Sequence, residues 1–140
     1  MSEVEIYNNL NNSLIATGLF FIGWSFLVWV AGRAVTIAIE NNAGIITKLV
    51  TTVFGLTAVW QFNNVLNFVP WNFAGAGHSL AILKNSGTEL SARSEAFLDM
   101  TGSTATEVPQ FTIIPSDPIV LIFILSALYL VVGRLWIGNK

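Results

Sequence analysis

Three apolar runs, Leu14–Gly32, Leu49–Val69 and Ile119–Ile137, each approach or reach the ~20 residues that a helix needs to cross a bilayer. The first two contain no charged residue, and the third contains only Arg134, close to its end. The remainder of the composition points the same way. Of 140 residues, 54% are hydrophobic and 10% charged, where a soluble domain carries about 25% charged residues. A chain of this size still exposes roughly a third of its unfolded surface after folding, so water cannot be its only solvent. The fold class that follows is an all-α integral membrane protein. Its three transmembrane helices form one bundle, and a ~48-residue extracytoplasmic loop (residues 70–117) carries a short amphipathic helix.

The boundaries follow from turn and cap chemistry. A polar tail, 1–13, ends in Asn8, Asn9, Asn11, Asn12 and Ser13, residue types that favour helix starts because their side chains accept first-turn amide hydrogens. The acidic start Ser2-Glu3-Val4-Glu5 lacks the positive region of a cleavable signal, so the first run is expected to be a permanent span. Transmembrane helix 1 with a cytoplasmic extension covers 14–40, and Asn41-Asn42-Ala43-Gly44 makes the break. Transmembrane helix 2 covers 45–69, with Pro70-Trp71 expected to end it. Within the loop, His78–Leu83 has the apolar content of a short interfacial helix. Ser86-Gly-Thr-Glu89 has capping-box spacing before a helix that places Leu90, Phe97 and Leu98 on one face and ends at Gly102. Thr104–Pro115 is β-branched and punctuated by proline, so it is expected to be extended. Asp117-Pro118 starts transmembrane helix 3, 118–137, with an N-cap acid and a proline at the first helical position. A tail, 138–140, closes the chain.

Charge sets the expected threading. Three spans put the tail and the long loop on one side, with Glu3, Glu5, Glu89, Glu95, Asp99, Glu107 and Asp117 against Lys84 and Arg93. The other side holds Arg33, Lys48, Arg134 and Lys140 against Glu40. Basic residues near span ends mark the cytoplasmic face. The expectation is therefore a cell (inner) membrane protein with its N-terminus outside and its C-terminus in the cytoplasm.

Spans one and three share a local pattern. Ser25 and Ser126 each stand seven residues before a Gly-Arg pair, Gly32-Arg33 and Gly133-Arg134, with an aromatic residue between, Trp29 or Tyr129. Small residues let helices approach closely, so Ser25, Gly32, Ser126 and Gly133 are candidates for helix–helix packing, as are Thr51, Gly55 and Ala58 on span two. Arg33, Arg134, Trp29 and Trp136 are candidate interfacial anchors, since long basic side chains lift their heads to the headgroups and tryptophan favours that layer.

Span two also carries a polar set, Gln61, Asn63, Asn64 and Asn67. An unpaired amide in hydrocarbon costs several kcal/mol, so these side chains are expected to bond across helices; a pore lining is the alternative. No catalytic constellation stands out. His78 is the only histidine, which excludes a three-histidine metal site, and Gly75-Ala-Gly77 lacks the context of a phosphate loop. The loop acids do not have EF-hand spacing, and without cysteine there is no disulfide or thiolate chemistry. Asn11-Asn12-Ser13 forms a glycosylation sequon close to the membrane. No cofactor and no metal are expected.

The expected partners are membrane lipids and other membrane-protein subunits or further copies of the chain; a net charge of −2 without a basic stripe argues against nucleic acid. The expected function is that of a non-catalytic structural or accessory subunit of a larger membrane assembly or homo-oligomer. An oligomeric pore-forming protein, holin-like or channel, is the alternative. Three-span phage holins have the same threading, a likeness of topology alone, and this chain departs from them in its long loop and in lacking a strongly basic tail.

Overall fold

A computed structural model describes residues 1–137, so the 138–140 tail lies outside the described residues. All regular structure among those residues is helical. Helix α1 spans Glu3–Glu40, α2 Ile45–Asn85, α3 Ala92–Thr101 and α4 Pro118–Leu128. A five-residue π-helical segment, Tyr129–Gly133, leads from α4 into α5, Arg134–Ile137. Three helical stretches, α1, α2 and the continuous run Pro118–Ile137, are long and apolar enough to cross a membrane.

Helix α1 begins ten residues before the expected start at Ser13. Its first turn is a reciprocal capping box: the Ser2 amide donates to Glu5 Oε2 at 2.6 Å, and the Glu5 amide donates to Ser2 Oγ at 3.3 Å. The asparagine-rich stretch is a poor helix former, but Ile6, Tyr7 and Leu10 on this early helix pack against an apolar cluster, and that burial outweighs propensity. The break after α1 is where it was expected, with Asn42 at φ 48°.

Pro70 does not end α2, contrary to the expectation; it lies inside a 41-residue helix, and the residues read as a separate helix at His78–Leu83 are part of it. An interior proline costs about 3 kcal/mol. Beyond it, however, Ala76, Leu80 and Ala81 are buried with Ile6, Leu90 and Leu98, and each large side chain fully buried contributes roughly 1.5–3 kcal/mol. Tertiary packing wins.

The Ser86–Glu89 motif caps nothing. Ser86 Oγ turns back to the Leu83 carbonyl at 2.6 Å, and Gly87 takes φ 88°, which closes α2. Helix α3 begins five residues later on Ser91, whose hydroxyl accepts from the Ser94 amide, and it ends at Gly102 with φ 61°, as expected. No regular structure follows until Asp117, whose Oδ1 accepts from the Ile119 amide at 2.8 Å and starts α4 as expected.

The chain divides into two compact units: Met1–Gly18 with Asn67–Thr112, and Leu19–Leu66 with Ile113–Lys140, the latter described as far as Ile137. The first is built around Ile6, Leu80, Leu90 and Leu98. The second is built around Ala31, Ala58, Val59, Phe62, Ile124, Ala127 and Val131, with a smaller cluster of Val35, Ala38 and Leu135.

Candidate functional site

In the first unit the polar chemistry gathers on the start of α3. Two hydroxyls and one amide point at a single carboxylate: Glu3 accepts from the Ser91 amide at 2.8 Å, from Ser91 Oγ at 2.6 Å and from Ser94 Oγ at 2.6 Å. Glu3 thus takes the role that a glutamate in the first turn of α3 would have in a capping box, but from another helix. It also places negative charge at the amino end of α3, where the helix dipole favours it. These bonds hold the Glu3 carboxyl below its ordinary range, the Ser91 hydroxyl being the largest cause. Tyr7 extends the cluster, with its hydroxyl 3.1 Å from Ser94 Oγ and the Arg93 guanidinium 5.2 Å from its ring centroid.

A serine nucleophile needs a base able to take its proton near neutral pH. A carboxylate held down by three donors is a poor one, so this cluster works as a clasp. His78 is also engaged. Its Nδ1 lies 2.7 Å from the Thr104 carbonyl, and because a carbonyl only accepts, Nδ1 carries the proton. Among the described residues no group of three or more acidic or histidine side chains gathers to hold a metal.

Gly77 lets the segment after α3 approach α2: a Cβ there would lie 2.4 Å from Ser103 Oγ and 2.5 Å from Thr101 Oγ1. The aromatic residues Phe73, Phe97 and Phe111 of this unit pack on other rings. Phe73 stacks on Phe97 with centroids 6.0 Å apart, and Phe111 rests on Phe68 and Trp71.

The second unit holds most of the small-residue and amide candidates. Thr51, Gly55 and Ala58 are buried on one face of α2. Gly55 sits against the π segment, where a Cβ would be 3.1 Å from the Val131 carbonyl oxygen, while Ala58 joins the cluster with Ala31, Ala127 and Val131. Ser25, Gly32 and Ser126 are not brought into such contact. Ser25 and Ser126 spend their hydroxyls on the carbonyls of Phe21 and Ile122 one turn back, and nothing lies within 4 Å of a Cβ built on Gly32. Gly133 accommodates the ring of Tyr129, 2.6 Å from where its Cβ would be.

Of the amides, Asn63 is buried and donates to the Ile113 carbonyl at 2.8 Å, while Asn64 donates to Gln61 Oε1 on its own helix at 3.1 Å. Asn67 is also buried and belongs to the first unit. The Asn63 bond holds Ile113–Pro115 beside α2, and an apolar groove of about 560 Å³ lies there, walled by Leu56, Trp60, Ile114, Leu121 and Leu128. Trp136 Nε1 donates to Thr52 Oγ1 at 2.9 Å, whereas Trp29 is exposed and stacks on Phe26. Arg33 and Arg134 line a second groove, of about 440 Å³, between α1 and α4.

Sequence reasoning missed the Glu3 clasp and the Trp136–Thr52 bond. Their partners are 88, 91 and 84 residues apart, and no local pattern encodes such a pairing. Ser2-x-x-Glu5 was legible, having the same spacing as the motif at Ser86. Comparison of the chain with protein-family models, with curated proteins and with solved structures found no match.

Proposed function

We propose that this protein is a non-catalytic accessory or structural subunit of a membrane assembly, a hetero-complex or a homo-oligomer, threaded with its N-terminus outside and its C-terminus in the cytoplasm. One observation carries the reading. In the first unit, Met100 near the end of α3 is 67% exposed and Val108 in the non-helical stretch after it 63%, both in the region, residues 70–117, that the charge pattern assigns to the extracytoplasmic side. Lipid tails do not cover such residues there, and large apolar side chains exposed outside the bilayer point to a protein contact. Helix length supports an extramembrane part. At 1.5 Å per residue the 38 residues of α1 measure about 57 Å, well beyond a hydrocarbon core of about 30 Å.

The reading is tested by extracting the protein in native lipid discs and measuring its mass. A defined complex larger than one chain is expected, and it should dissociate when Met100 and Val108 are both replaced by serine. A single chain carrying lipid alone would overturn the reading. Threading is checked separately, since the chain has no native cysteine. A cysteine at Ser2 or Thr106 should label with an impermeant thiol reagent from outside and one at Asn41 should not; all three positions are exposed.

The pore reading has weaker support, because Asn63 and Asn64 are engaged within the chain. Conductance by the purified chain in planar bilayers, abolished by Asn64→Leu, would favour it over the subunit reading.

A further inference from the structure

The two Gly-Arg sequences, remote in the chain, meet at one place. Trp29, Gly32, Arg33, Ser126 and Arg134 all line the groove of about 440 Å³ between α1 and α4, together with apolar neighbours such as Phe123 and Leu130. Among the described residues nothing fills the space over Gly32, and Ser126 keeps its hydroxyl on its own helix. The groove wall is therefore apolar along its length, with two guanidinium groups added to it.

Among the described residues neither guanidinium group has a carboxylate partner. Among the described residues the one ion pair is Lys84–Glu95, in the other unit. Glu40, the one acid on the same flank of the bilayer by charge pattern, stands seven residues beyond Arg33 on α1, about 10 Å along the axis at 1.5 Å per residue. The π segment has a part in this arrangement. A π turn adds a residue to the ladder, so the residues after it are rotated relative to a regular α-helix, and Arg134 is the first residue after Gly133.

We propose that this groove binds one anionic glycerophospholipid, with an acyl chain along Gly32 and Ser126 and the phosphate held between Arg33 and Arg134. Charge complementarity selects this occupant. Two forked guanidiniums match phosphate oxygens bidentately. A zwitterionic headgroup would bring a cation toward a pair of cations, whereas an anionic one such as phosphatidylglycerol brings none. The site requires only that these helices lie in a bilayer, and it is independent of the partner proposed above.

The test is native mass measurement after reconstitution of the full chain in equal phosphatidylglycerol and phosphatidylcholine. One phosphatidylglycerol should stay bound in preference to phosphatidylcholine. Arg33→Gln with Arg134→Gln should weaken that retention about thirty-fold, from roughly 1 kcal/mol per basic residue near a membrane surface. Lys48→Gln, outside the groove, should leave it unchanged. Gly32→Leu keeps both arginines and the helix but fills the space, and it should abolish retention even if the double variant proves unstable. Equal retention of both lipids, equal loss in Lys48→Gln, full retention in Gly32→Leu, or displacement by millimolar inorganic phosphate would each overturn the proposal.

Discussion

The two units solve the same problem, holding hydroxyls and amides in a mostly apolar chain, with a different balance of long-range and local bonds. In the first unit polar side chains reach across the sequence: Glu3 to Ser91 and Ser94, Asn72 Nδ2 to Thr17 Oγ1 at 3.3 Å, His78 to Thr104, and Lys84 to Glu95. Thr17, Ser79 and Thr101 of this unit also bond the carbonyl one turn back on their own helix, as Ser25, Thr36, Thr52 and Ser126 do in the second unit. Shape does the joining there, through Gly55, Ala58, Ala31 and Ala127. Directed long-range bonds suit a part that water can reach, where apolar burial is limited. Self-satisfied hydroxyls suit a part in lipid, where an unpaired polar group costs several kcal/mol and helices join through close contact.

The contrast can be broken most severely at Gly55. Gly55→Leu drives a side chain into the backbone at Val131, where a Cβ alone would already be 3.1 Å from the carbonyl oxygen. The expected loss is about 3 kcal/mol, read as a lowered unfolding midpoint in micelles, with the first unit's hydrogen-exchange protection retained. A midpoint unchanged within error would mean that small-residue contact does not hold the second unit together.

Asn63→Leu probes a directed long-range bond in the shape-joined unit, which has another from Trp136 to Thr52. It removes the donor to the Ile113 carbonyl at an expected cost of about 1–2 kcal/mol. Faster amide exchange at Ile114 and Ser116 is the local signature to look for.

Acid should separate the units. Glu3 has its carboxyl lowered in the fold by the Ser91 and Ser94 bonds. A depressed folded pKa contributes stability that is present above the unfolded value, about 4.3, and is lost as pH falls through the folded value. Docking of α3, followed by fluorescence of a probe at Ala96, should therefore hold from neutral pH down to about 4.3 and weaken as the pH falls below that. Glu3→Gln should weaken docking at neutral pH and flatten the acid limb. An acid limb of the same size in Glu3→Gln would assign the effect to another carboxylate.

The smallest effect is expected at Ser25. Its hydroxyl serves only the Phe21 carbonyl on the same helix, and Ser25→Ala should shift stability by no more than about 0.5 kcal/mol. A larger loss would show that this hydroxyl has a partner outside the chain.

How much could be read from the sequence depended on the range of the interaction responsible. The Asp117-Pro118 start, the Asn41–Gly44 break and the Gly102 stop are local, decided by which backbone conformations and caps neighbouring residues allow. Pro70 misled because its rule is also local, and burial of Leu80 against Ile6, Leu90 and Leu98 overrides it. The two Ser-x-x-Glu motifs show the same limit. Spacing is identical at Ser2 and Ser86, but only the first becomes a cap, since Gly87 with φ 88° takes the chain out of helix at the second.

By itself, then, the sequence determined the solvent and the class: three apolar helices sized for a bilayer, a consequence of summed transfer free energies that need no knowledge of contacts. Tertiary structure decided what those helices do to one another. It carried α2 through its proline, made Glu3 the cap of a helix 88 residues away, and brought Arg33 and Arg134 to one groove. Each of these outcomes turns on a side chain whose partner lies tens of residues off, where no spacing rule reaches.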